Sequence, residues 1–190
     1  RRRQRQMCIR DSSKSNHISD SSYDENKRWP DGLSPFGFKV VKEMNKQGVM
    51  IDISHVSDAA FMKVLELSDA PVVATHSSLR HFTPGWERNV SDEMLIALAE
   101  NGGVIQLCFG SDFVANRKDN PDIQVSVKNV VDHIDRVRDL VGIDHVGFGS
   151  DFDGEVPLPE DINDVSKFPN LIEELLMRGY TESEIDKILN

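Results

Sequence analysis

The chain has 190 residues, a formal net charge of −10 and 38% hydrophobic residues, enough for one large domain with a real core. An acidic chain with no basic stripe argues against nucleic acid and anionic membrane surfaces as partners. Two cysteines, Cys8 and Cys108, cannot build a disulfide framework, and no apolar run approaches the ~20 residues of a membrane span.

The charge is uneven along the chain. Residues 1–10 hold five arginines and no acid, whereas residues 11–190 carry −15. This basic start has no apolar stretch behind it and does not read as a signal peptide. Nothing aromatic or helical accompanies it, so residues 1–12 are expected to be a non-native or disordered end, with residues 13–190 forming one domain. Residues 12–32 are rich in turn formers and read as a long loop.

From Leu33 the punctuation is regular. Ser34-Pro35 caps a helix that Gly48 ends. VMIDIS, residues 49–54, reads as a buried strand, followed by a helix over 58–67. PVVAT, residues 71–75, is the next strand. Ser91 caps a helix over 92–100, with acids in its first turn where the dipole favours them. GVIQLCF, residues 103–109, is a third strand. Val127, Val130, Val131, Ile134, Val137, Leu140 and Val141 then form one helical stripe. HVGFGS, residues 145–150, is the fourth strand. A helix over 168–178 and one opened by the capping box Thr181 to Glu184 close the chain. Near-continuous apolar strands alternating with helices imply a parallel sheet covered on both faces. Four βα units at barrel-like spacing are half of a (β/α)8 TIM-type barrel.

Three polar residues stand at carboxyl ends of these strands: His55 after VMIDIS, His76 after PVVAT and Asp151 after HVGFGS. Sites in such sheets are built on that face. Neighbouring strands lie about 4.8 Å apart, so the two imidazoles can converge on one ion through bonds of about 2.0–2.1 Å, the zinc–nitrogen distance. A carboxylate from the last strand would then meet the metal-bound water. Arg88, in a loop leaving the same face, reads either as a bidentate clamp for a substrate carboxylate or as a surface arginine pairing with Glu87 or Asp92. His145 opens its strand at the opposite face and reads as structural, and His133 reads as a solvated or capping group inside a helix. His17 and His81 lie in loops on the site side. Asp52, in mid-strand, is expected to pack or pair, and Asp153 is a further carboxylate near a strand end.

The segments GVMIDISHVSDA, APVVATHSS, ERNVSDEMLIALAENGGVIQLCF and GIDHVGFGSDFDG, in that order, resemble the zinc-dependent membrane (renal-type) dipeptidases. SKSNHISDSS, GLSPFGFKVVKEMN and DVSKFPNLIEELL match too, so the resemblance runs from about Ser13 to Asn190. It implies an eight-stranded barrel of the amidohydrolase type, two zinc ions, a dipeptide substrate and a possible homodimer when full length. It makes an extracytoplasmic place plausible. Carried over, His55 and His76 match the histidine ligands of the second zinc, and Arg88 the arginine that holds the substrate carboxylate. Asp151 matches the aspartate beside the bridging water, which contacts the substrate amine and handles protons. The implied mechanism is attack of a zinc-bridging hydroxide on the peptide carbonyl.

The departures are specific. The family's earlier His-x-Asp pair and bridging Glu have no counterpart before Ser13. Asp11-Ser12-Ser13 stands where the family has Thr-His-Ser, so its oxyanion-stabilising histidine is missing. MCIRDS resembles read-through of a sequencing adapter. The expectation is a C-terminal portion of a zinc dipeptidase with about half of its site, binding zinc weakly and hydrolysing little by itself. Another amidohydrolase, such as a deaminase, and a non-catalytic binding domain of the same fold are the alternatives.

Overall fold

A computed structural model describes residues 7–8, 14–154 and 156–190. The element order is β1 (Met7–Cys8), α1 (Pro35–Gln47), β2 (Ile51–Asp52), α2 (Asp58–Leu67), β3 (Val73–Ser77), α3 (Asp92–Glu100), β4 (Val104–Cys108), α4 (Ser111–Val114), α5 (Val127–Val141), β5 (Val146–Ser150), α6 (Phe168–Met177) and α7 (Glu182–Leu189). The expected end over residues 1–12 lies outside the described residues except for Met7–Cys8, which pairs in parallel with Ile51–Asp52.

Helix boundaries follow local chemistry. The hydroxyls of Ser34, Ser57 and Ser91 accept from the backbone N–H of Gly37, Ala60 and Met94 and so start α1, α2 and α3. Gly48, at φ 63°, ends α1 in the left-handed conformation. Reciprocal capping boxes open α5, through Ser126 and Asn129, and α7, through Thr181 and Glu184.

All pairings in the sheet are parallel, and the strands lie in sequence order, β1-β2-β3-β4-β5. A doubly wound sheet reverses its order at a switch point; an order without reversal, with helices as connections, is the barrel succession. The sheet is unclosed and forms part of a TIM-type barrel. Ile51, Ile105 and Leu107 from the strands meet Val64, Leu95, Leu98, Val130, Ile134 and Val137 from the helices, all buried. Each such side chain contributes ~1.5–3 kcal/mol. Gly149 admits the close approach of strands, because a Cβ there would lie 2.2 Å from the Thr75 carbonyl oxygen and 2.7 Å from that of Gln106. Among the described residues no helix is long and apolar enough to cross a membrane.

His133 departs from expectation. It is 0% exposed, not solvated. Its Nδ1 accepts from the Leu79 N–H at 3.0 Å, so Nε2 carries the proton and donates to the Val114 carbonyl at 3.1 Å. The ring therefore staples the chain after β3 to the chain after β4. Asn89 reinforces this staple, accepting from the Ser78 N–H and donating to Thr83 Oγ1 and the Phe113 carbonyl.

Burial lowers the His133 pKa to about 4 from the ordinary 6.5. Between these two values the unfolded chain binds a proton that the native chain does not. Stability is therefore lost as pH falls from 6.5 toward 4, by about 3 kcal/mol from this group. Urea unfolding at pH 7 and pH 4.5 checks this: His133→Phe should be less stable than the parent at pH 7 but lose less stability than the parent on acidification.

Candidate active site

Two irregularities in the sheet aim the candidate residues. Between Ala74 and Ser77, β3 advances three residues while β4 advances two, from Ile105 to Leu107. Between Phe148 and Ser150, β5 advances two residues while β4 advances one. Bulges of this kind re-aim side chains next to active sites. Here one precedes Arg88's partner Ser77 and contains His76, and the other leads into Asp151. Among the described residues, the non-glycines at left-handed φ are His55 at 71°, Ser150 at 42° and Asp151 at 64°. Such backbone costs about 1–3 kcal/mol per residue and gathers at functional sites.

His55 and His76 meet directly. Their Nε2 atoms are 2.8 Å apart and their ring centroids 4.8 Å apart. The backbone holds both: the His55 carbonyl accepts from the Ser22 N–H, and the His76 N–H donates to Ser54 Oγ at 3.1 Å.

Arg88 is 3% exposed, so it is not a surface arginine. Glu87 pairs with Lys27 and Asp92 with Arg136 instead. The guanidinium donates through Nη1 to Ser77 Oγ at 2.8 Å, and through Nη2 to the His76 carbonyl at 2.5 Å and to His55 Nε2 at 3.3 Å. It lies over the Phe113 ring at 5.3 Å, and Phe113 stacks on Trp86. It lies close enough to the Tyr23 hydroxyl to act on it electrostatically, and the Tyr23 ring is 5.8 Å from that of His55. Every one of these partners is neutral, and Nε has none among the described residues. Burial pulls the Arg88 pKa down, yet an arginine stays charged at any working pH. A buried cation whose partners are neutral is costly and is poised for an arriving anion.

Asp151 directly follows β5. Its Oδ2 accepts from the Cys108 thiol at 3.8 Å, and its carbonyl accepts from the Gly154 N–H. A Cβ at Gly154 would lie 2.6 Å from Asp151 Oδ2, so glycine leaves the carboxylate its room. Asp151 is close enough to Arg88 and Tyr23 to shift both electrostatically. Asp52 is 3% exposed and accepts from the Ser54 N–H and from Thr75, a pairing role as expected. His145 bonds the Gly103 carbonyl through Nδ1 at the far end of the sheet. His17 packs on Phe36 and His81 on Phe82, both exposed, and Asp153 is exposed as well. Sequence reasoning passed over Tyr23, Thr75, Ser77 and Cys108. Position after a strand is the signal it used, and these residues lie in a loop, inside strands or at a strand's last residue.

The donor set fits a metal ion in part. Two imidazole nitrogens suit zinc or a similar ion, and a tetrahedral site spaces two such nitrogens by about 3.3 Å, a small ring rotation from the 2.8 Å observed. Among the described residues no group of three or more His, Cys, Asp or Glu can hold a metal by itself. Two imidazole nitrogens are fewer donors than the four of a closed site.

Parallel strands in sequence order define part of a TIM-type barrel, a fold whose sites are built at the C-terminal rim. The model of the membrane dipeptidase family, peptidase family M19, matches residues 5–190, and the chain belongs to that family. A metallo peptidase from Rhodobacter sphaeroides, liganded with a phosphinate mimic of the dipeptide L-Ala-D-Ala, is similar at 36% identity with a TM-score of 0.78; the match covers 84% of this chain and 45% of that one. The probable dipeptidase PvdM from Pseudomonas aeruginosa is similar at 28% identity and a TM-score of 0.82, over 92% of this chain and 57% of that one. An amidohydrolase from the same organism matches at 28% identity and a TM-score of 0.81, over 94% and 59%. The chain spans about half the length of the solved structures it matches.

Cys108 gives a direct check of the burial behind Asp151. It is 0% exposed, and burial pushes its thiol up to about 12, so it stays a thiol and donates to Asp151. Iodoacetamide at pH 8 should leave Cys108 unmodified in the native chain and label it in urea, as read by mass spectrometry. Rapid labelling of the native chain would contradict the burial.

Proposed function

We propose that this chain contributes to metal-dependent hydrolysis of dipeptides, with zinc as the metal and two ions in the complete centre. The observation that supports this most is the meeting of His55 and His76 at 2.8 Å beside a buried guanidinium with neutral partners. The family match and the dipeptide mimic bound by the Rhodobacter sphaeroides peptidase support the same reading.

His55 and His76 would hold one ion through Nε2. Bound zinc supplies Lewis acidity, polarising a carbonyl and bringing the pKa of water to about 7. Arg88 binds the free carboxylate of the substrate. A charge-assisted bond to carboxylate is about twice as strong as one to a neutral acceptor, so the anion gains what Ser77 and Tyr23 do not supply. Fixing that end orients the peptide bond relative to the strand ends. Asp151, just after β5, receives the substrate amine and moves protons as general base and then acid. Cys108 steadies its carboxylate. The need for an anion at Arg88 favours a dipeptide over the uncharged base of a deaminase substrate.

Calorimetry of the zinc-loaded chain with L-alanyl-D-alanine tests the reading. The free dipeptide should bind at least ~10-fold tighter than its C-terminal amide, and Arg88→Met should erase that preference, because the charge and the fork are both lost while the apolar stem stays. Equal binding of dipeptide and amide would overturn the assignment. With two ligands, zinc should bind weakly and turnover should be low; robust hydrolysis by this chain would show that His55 and His76 suffice.

A further inference from the structure

We infer that Asp52 and Thr75 are positioning residues that fix the proton of His76 on Nδ1 and so make Nε2 its unprotonated nitrogen. The inference rests on the metal reading of His55 and His76 for its purpose, though not for its geometry.

In a regular strand, consecutive side chains point to opposite faces. Thr75 and His76 are consecutive, yet Thr75 Oγ1 lies 2.8 Å from His76 Nδ1. The bulge between Ala74 and Ser77 brings the two side chains together. On its other side Thr75 Oγ1 lies 2.5 Å from Asp52 Oδ2. The direction of this chain of bonds follows from its members. A carboxylate only accepts, so the single hydroxyl proton of Thr75 goes to Asp52. The Thr75 oxygen then accepts, and the donor is Nδ1–H of His76. A neutral imidazole carries one proton, which leaves Nε2 as a lone pair directed at His55. Arg88 has no acceptor capacity, so its contact with His55 Nε2 makes that nitrogen an acceptor as well. Two lone pairs brought to 2.8 Å are stabilised by a shared positive centre. Hydrogen bonds behind ligating histidines set tautomer and basicity in this way and govern metal affinity.

Asp52 is itself oriented. Its Oδ1 accepts from the Ser54 N–H at 2.9 Å and from the Thr75 N–H at 3.2 Å. In Asp52→Asn these two donors claim the amide oxygen, so the amide NH2 faces Thr75. Thr75 must then accept from residue 52 and donate to His76 Nδ1. The whole relay reverses, and the His76 proton moves to Nε2, the position a metal needs.

Long-range proton–nitrogen NMR of the metal-free chain at pH 8 reads the tautomer directly, and chelator competition reads zinc affinity. The parent and Thr75→Ser should carry the His76 proton on Nδ1. Asp52→Asn should carry it on Nε2, and the near-isosteric Thr75→Val should show a mixture. Zinc affinity should fall about 10–100-fold in Asp52→Asn and Thr75→Val and be kept in Thr75→Ser. A His76 proton on Nε2 in the parent, or a Thr75→Val chain with unchanged tautomer and affinity, would overturn the relay. If Asp52→Asn does not fold, Thr75→Val and Thr75→Ser still decide. Zinc affinity that His76→Ala leaves unchanged would sink the metal reading alone, because the tautomer is read without metal.

Discussion

The structure depends on the contact between two imidazoles at the ends of adjacent parallel strands. His55 leaves β2 in a left-handed conformation, and His76 sits in the bulge of β3; their Nε2 atoms are 2.8 Å apart. A left-handed φ at a non-glycine such as His55 is not what a relaxed chain adopts. The strain is sustained by the surrounding core, by the Ser54 bond to the His76 N–H and by the Ser22 bond to the His55 carbonyl. Arg88 closes the third side.

Charge completes the arrangement. Arg88 is buried with neutral partners and packed on Phe113. Its loop is clamped from several directions: Lys27 and the Asp58 N–H both bond Glu87, while Arg80 grips Asp58 through a bidentate pair. His133 and Asn89 tie the same loop to the chain after β4. Buried polar groups that are fully paired give a rigid mount, and the unmet demand is left on the guanidinium that faces the site. A buried guanidinium whose hydrogen-bond partners among the described residues are neutral, with the Asp151 carboxylate acting on it only through space, is suited to receive a further anion.

Much of this was legible in the residues. Helix α1 to α3 boundaries follow from Ser34, Ser57, Ser91 and Gly48, because capping is a local interaction. The apolar runs place His55 after β2, but β3 runs on through His76 to Ser77, so His76 lies inside its strand and not after it. The β2 strand is shorter than its apolar run: Ile51–Asp52 pairs with Met7–Cys8, and Asp52 also pairs with Val73. What was not legible is tertiary. Alternation sends Thr75 and His76 to opposite faces, and only the bulge against β4 unites them. His133 has polar neighbours on its own helix, and its burial depends on Leu79 and Val114, far away in the chain. Tyr23 belongs to a loop whose path is set by Asp20 accepting from the N–H groups of Arg28 and Trp29, a fold-back that no local pattern announces.

The central claim is that His55 and His76 hold a cation in common. Crystals of the chain soaked in zinc, with anomalous diffraction collected at the zinc edge, test it most directly. The account predicts a peak about 2.0–2.1 Å from both Nε2 atoms, with Thr75 still bonded to His76 Nδ1. Zinc bound only at surface carboxylates, with the two rings left in mutual contact, would contradict it.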